Sequence, residues 1–208
     1  MKQMIFSAML LLMVGSITAQ TESTNRKKFF YGFDLGMNHT HIQISKDNSI
    51  TSVQNDFGFR LGLIAGSSLT DRVRLTINPA LSFHNNILFY KPESSMVHTA
   101  FGTSFDFSIL GTYGLNSHQN LSPYLTLGPT IQISLIDPEF SNQFKDRPNI
   151  GIEFGLGCAI KLKAYTLVPE LRYAYGLTNI NSNPTIPPSQ VINFHSLKLV
   201  IGFTSLHR

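Results

Sequence analysis

The sequence predicts an all-β fold, an eight-stranded antiparallel up-and-down transmembrane β-barrel with periplasmic termini, on three observations. Apolar and polar residues alternate with period two in eight segments, each longer than the 9 to 11 residues a tilted strand needs to cross a bilayer. The connections between these segments alternate between short and long, as the turns and loops at the two ends of such a barrel do. Only 13% of the residues are charged, against about a quarter in typical soluble domains.

Ahead of the strands, Lys2 precedes the apolar run "MIFSAMLLLMVGSI" and the small residues of "TAQ". Charge, apolar run and small residues in that order make a secretory signal peptide, expected over residues 1–19. A polar leader follows over 20–28, and the barrel domain occupies 29–208. Loss of Lys2 with the signal leaves 15 basic against 12 acidic side chains, a balance too mild and too dispersed to point to nucleic acid.

The first strand, about 29–44, sets Phe29, Tyr31, Phe33, Leu35 and Met37 against Gly32, Asp34, Gly36 and Asn38. The second, 57–68, sets Phe57, Phe59, Leu61 and Leu63 against Gly58, Arg60 and Gly62, and the third, 73–90, alternates Val73, Leu75, Ile77, Leu81 and Phe83 with Arg74, Thr76, Asn78 and Ser82. The fourth, 98–113, carries Phe101, Phe105, Phe107 and Ile109 opposite Gly102, Ser104, Asp106 and Ser108. The fifth, 123–136, and sixth, 150–162, continue the pattern, with Glu153 among the glycines of "GIEFGLG". The seventh, 165–177, places Glu170 and Arg172 between Leu167, Pro169, Leu171 and Tyr173; the eighth, 190–204, places Lys198 and Gly202 between Leu197, Leu199, Ile201 and Phe203. "LTDR", "KLKA" and "GLNSHQNLS" are the connections on one side; of the four on the other, "SKDNSITSVQND", "DPEFSNQFKDRP" and "TNINSNPTIPPS" are long and polar and "KPESSMV" is shorter.

Either face of such strands could be the buried one. A soluble lipocalin-like barrel would turn the apolar face inward, and a membrane barrel would turn it toward lipid. The polar face decides: it mixes glycine, serine and threonine with a few charges of both signs, which suits a narrow crowded lumen better than a water-facing surface. Aromatic residues near strand ends, Phe29, Phe30, Tyr31, Phe89, Tyr90, Tyr113, Tyr124, Tyr165, Tyr175 and Phe203, are expected to form interfacial girdles. Asp34, Arg60, Arg74, Asp106, Glu153, Glu170, Arg172 and Lys198 then face the interior, where an unpaired charge is costly, so an inward salt-bridge network is expected.

Little in the sequence points to catalysis. His39 and His41 share a face without an evident third metal ligand. Ser82 and His84 lack a nucleophile elbow, and "GLGCAIK" lacks the spacing of a phosphate loop. Cys158, the only cysteine, excludes an intramolecular disulfide and reads as a small hydrophobe. No cofactor, metal site or small-molecule substrate is expected, and a barrel of eight strands is just wide enough for side chains to fill. A lipid-modifying enzyme, with His84 as its essential residue, and an adhesion or envelope-structure barrel acting through its outer loops are the alternative functions.

The segments "YGFDLGMNHTHIQI", "FGFRLGLIAGSSLTDRVRLTINPALSF" and, most of all, "GIEFGLGCAIKLKAYTLVPELRYAYGLTN" resemble the PorT family of outer-membrane barrels from the Bacteroidota. The resemblance extends from about Phe30 to Phe203 and is narrowest toward the PorT/SprT branch, associated with type IX secretion and, in gliding species, with motility. It implies a non-enzymatic accessory or assembly role in protein export, with outer-membrane lipid and other type IX secretion components as partners. It carries no catalytic residues to transfer.

Overall fold

The computed structural model describes residues 29–45, 50–54, 57–90, 97–115, 121–135, 148–179 and 191–206. The expected signal peptide and polar leader lie outside the described residues. Among the described residues nine strands form: β1 (Phe29–Ser45), β2 (Ile50–Gln54), β3 (Phe57–Ser68), β4 (Val73–Tyr90), β5 (Val97–Gly114), β6 (Leu121–Ser134), β7 (Asn149–Lys161), β8 (Thr166–Gly176) and β9 (Val191–Leu206). Each strand from β3 onward pairs antiparallel with the next in sequence, and β1 closes the sheet by pairing with β9 from Phe30↔Leu206 to Ser45↔Val191. The barrel has eight staves, because β2 and β3 pair with successive stretches of the same strand, β4.

The short strand β2 lies inside the segment expected to be a long polar loop. Its five residues, "ITSVQ", give too short an alternation to register as a strand, and pairing with residues 87–90 of the long β4 is what holds it.

The polar face is the buried one. Arg60 and Glu153 are 0% exposed, whereas Leu63 and Leu127 on the opposite face are 63% and 61% exposed. A water-soluble barrel would reverse that distribution. The exposed apolar outer band of this barrel suits lipid, and pairing of β1 with β9 closes the sheet.

The aromatic assignment divides. Phe29, Tyr31, Tyr113, Tyr165 and Tyr175 stand on the outer face, and Phe33 stacks on Phe203 across the closing seam at 5.1 Å between ring centroids. Phe30 and Tyr124, expected in the girdles, instead point inward and are buried. Each falls in the inward register of its strand, and a facing glycine makes the space. A Cβ on Gly66 would lie 2.5 Å from the Phe30 ring, and one on Gly157 would lie 2.6 Å from the Tyr124 hydroxyl. The side chains of Phe89 and Tyr90 lie outside the described residues.

Three outward prolines interrupt the ladder in the same way. Pro79, Pro129 and Pro169 have no N–H to donate. The pairing of β4 with β3, of β6 with β5 and of β8 with β7 skips a step at each, while the pairing on the other side of the proline continues through Phe107, Ile152 and Ile201.

Candidate functional site

The inward face converges on one side-chain network in the middle of the lumen. It is assembled from β1 and from β3 to β9, whose alternation delivers one to three polar side chains each at this level. Arg60 Nε donates to Asp34 Oδ1 at 3.2 Å, Nη1 to Asp106 Oδ2 at 3.4 Å and Nη2 to Asn78 Oδ1 at 2.6 Å. Across the lumen, Arg172 Nη1 donates to the same Asn78 oxygen at 2.8 Å and to Glu153 Oε1 at 3.3 Å, and the guanidinium also pairs with Glu170. Lys198 Nζ bridges Glu153 Oε2 at 2.9 Å and Asp106 Oδ2 at 3.6 Å.

Hydroxyls and one amide complete the set. Ser82 and Ser104 donate to Asp106 at 2.8 and 2.9 Å, Ser108 donates to Glu153 at 3.2 Å, and Tyr124 donates to Glu170. Asn78 Nδ2 donates to Asp34 Oδ2 at 2.6 Å. Buried charges tolerate the loss of water only when paired and hydrogen-bonded on several sides, and here three cations meet four carboxylates with neutral donors filling the remaining positions.

Seven of the eight inward charges expected from sequence are brought together: Asp34, Arg60, Asp106, Glu153, Glu170, Arg172 and Lys198. Arg74 is on the same face but stands nearer the barrel end, half-buried, and forms no ion pair among the described residues. Sequence reading missed the linking role of Asn78, which touches Asp34, Arg60 and Arg172 at once. Its central place depends on Arg172, 94 positions away, and no local pattern shows that.

Ser82 and His84 are both buried inside, yet they are not partners. Ser82 is committed to Asp106, and His84 bonds Thr40 Oγ1 at 3.0 Å through Nδ1 and Ser104 Oγ at 2.9 Å through Nε2. Ser104 directs its proton to Asp106, and its oxygen accepts from Gln132 Nε2 at 2.9 Å while facing His84 Nε2, itself 3.1 Å from the same amide nitrogen. The hydroxyl thus lies between acid and imidazole, whereas nucleophile activation requires the imidazole between hydroxyl and acid.

On the outer face, His39 packs on Phe57, and His41 is paired in register with His195, whose ring contacts those of Tyr173 and Tyr175. No three His, Cys, Asp or Glu side chains converge on a common point among the described residues.

A polar lumen crossed by ion pairs inside an apolar wall is an outer-membrane architecture, and sequence comparison agrees with it. The model of the outer membrane protein beta-barrel domain family matches residues 18–182. The chain belongs to that family. Comparison with solved structures finds the same barrel in Neisserial surface protein A, at 17% identity and a TM-score of 0.57, covering 86% of this chain and 97% of that one. The outer membrane protein OprG from Pseudomonas aeruginosa aligns at 13% identity and a TM-score of 0.58, covering 88% of this chain and 96% of the other. Identities this low establish the shared fold alone. A search of curated proteins by sequence gives no match. Among the described residues of this outer-membrane barrel, the lumen holds the most elaborated polar site and the apolar band faces outward.

Proposed function

We infer that the protein is a non-catalytic outer-membrane barrel that serves type IX protein secretion as an accessory or assembly component and does not itself conduct cargo. The observation that carries the second half of this reading is the network joining Asp34, Arg60, Asp106, Glu153 and Arg172 across the lumen. A polypeptide could pass only if these buried pairs were pulled apart, at several kcal/mol for each charge left unpaired. Function then falls to the two barrel ends and the lipid-facing wall, where protein partners and outer-membrane lipid are reached.

The secretion assignment rests on the resemblance of "GIEFGLGCAIKLKAYTLVPELRYAYGLTN" to the PorT family. Export by the segment 1–19 and periplasmic placement of both termini complete the reading. The β3–β4 and β7–β8 turns at 69–72 and 162–165 lie at the barrel end where β1 begins and β9 finishes, as periplasmic turns do in this class.

The test is the extracellular proteome of a deletion strain beside wild type and a complemented strain. Proteins bearing type IX sorting domains should be retained in the cell on deletion and return to the medium on complementation. Unchanged export, with altered surface binding or envelope integrity, would overturn the secretion role in favour of adhesion or envelope structure through the longer loops.

A further inference from the structure

A vestibule of about 50 Å³ opens below the central network at the end of the barrel carrying the 69–72 and 162–165 turns. That is several times the room one ordered water needs and enough for a group of a few heavy atoms. Phe30, Ile64 and Val168 form part of its wall. Arg74 and Lys161 also line it, and among the described residues neither has an ion pair or a side-chain hydrogen bond. The carboxylate there, Glu170, is already engaged by Arg172 and Tyr124. Thr76, Thr112 and Thr166 add hydroxyls.

The charge balance of the inner face gives the vestibule its sign. The central network holds three cations against four carboxylates, one negative charge in excess. Arg74 and Lys161 more than offset it, leaving the described inward side chains with one positive charge over, located where the lumen meets solvent. Low-dielectric walls around such a charge concentrate small anions.

We propose that this vestibule is a binding site for a compact oxyanion of the phosphate class, held between Arg74 and Lys161 with threonine hydroxyls as further donors. Two cationic side chains facing one small space match an anion with several oxygens, and charge-assisted contacts to phosphate oxygens are the strong ones. The wall formed by Phe30, Ile64 and Val168 excludes bulk water from one side and strengthens those contacts.

The test uses the full mature chain in nanodiscs of zwitterionic lipid, titrated by calorimetry with inorganic phosphate and, separately, with glycerol 3-phosphate. Arg74→Gln and Lys161→Gln should each weaken binding by about tenfold. Lys163→Gln removes the same charge from the adjacent turn without touching the vestibule and should leave affinity unchanged. Tighter binding of the ester identifies an esterified phosphate as the preferred ligand, and tighter binding of the inorganic ion identifies the free one; either supports the site. Absence of binding to both, or equal weakening by all three substitutions, overturns it. Heat-dependent gel mobility confirms that each variant is folded, so a lost affinity reports on the site.

Discussion

Asn78 Nδ2 donates at 2.7 Å to the backbone carbonyl of Leu63, which lies opposite Pro79 when the β3–β4 register is continued from either side. The backbone cannot serve that carbonyl, because Pro79 has no N–H. The preceding side chain does so instead while also bonding Asp34, Arg60 and Arg172. One residue thus repairs the wall and links both halves of the lumen network.

Asn78→Leu should accordingly be the most damaging neutral substitution in the lumen. It leaves Leu63 O unserved and strips a partner from two guanidiniums, a loss of about 3 to 5 kcal/mol for a buried network. The chain has no Trp, so urea unfolding in lipid vesicles followed by far-UV circular dichroism is the appropriate readout. A midpoint equal to wild type would show that the amide is dispensable.

Glu170→Leu leaves the Tyr124 hydroxyl buried without its acceptor and removes one of two carboxylates on Arg172. Glu153 still faces the guanidinium, so the expected cost is smaller, about 2 to 3 kcal/mol. Pairing it with Tyr124→Phe should recover part of that loss, since the orphaned hydroxyl is gone. Strictly additive losses in the double variant would argue against the bond.

Gly62→Ala tests whether the inward glycines are there for space. A Cβ at this position would lie 2.6 and 2.7 Å from the two carboxylate oxygens of Asp34, so Asp34 must withdraw from Arg60. Alanine suits a strand better than glycine, and on backbone grounds the change should stabilise. A net loss of about 1 to 3 kcal/mol is expected, and a gain in thermal midpoint would show that the lumen yields without cost.

The face alternation was readable because lipid and lumen impose opposite demands on successive residues, so Arg60 and Glu153 stand out against Phe59 and Phe154. Position along the barrel was less readable. Phe30 and Tyr124 lie near strand ends, as girdle residues do, yet register turns them inward against Gly66 and Gly157. Arg74 shares a face with Arg60 but sits too near the barrel end to join the network, and the strand stagger that decides this is invisible in one sequence. The pairing of His41 with His195 likewise depends on barrel closure, which joins residues from opposite ends of the chain.

Single-channel recording of the purified protein in planar bilayers at high salt tests the central claim, that crossing ion pairs seal this lumen. The sealed barrel should give no sustained conductance steps, and the doubly disrupted Arg60→Ala/Arg172→Ala variant should, where it folds, leak ions. A steady open channel in the wild-type protein would contradict the account and return the lumen to consideration as a conduit.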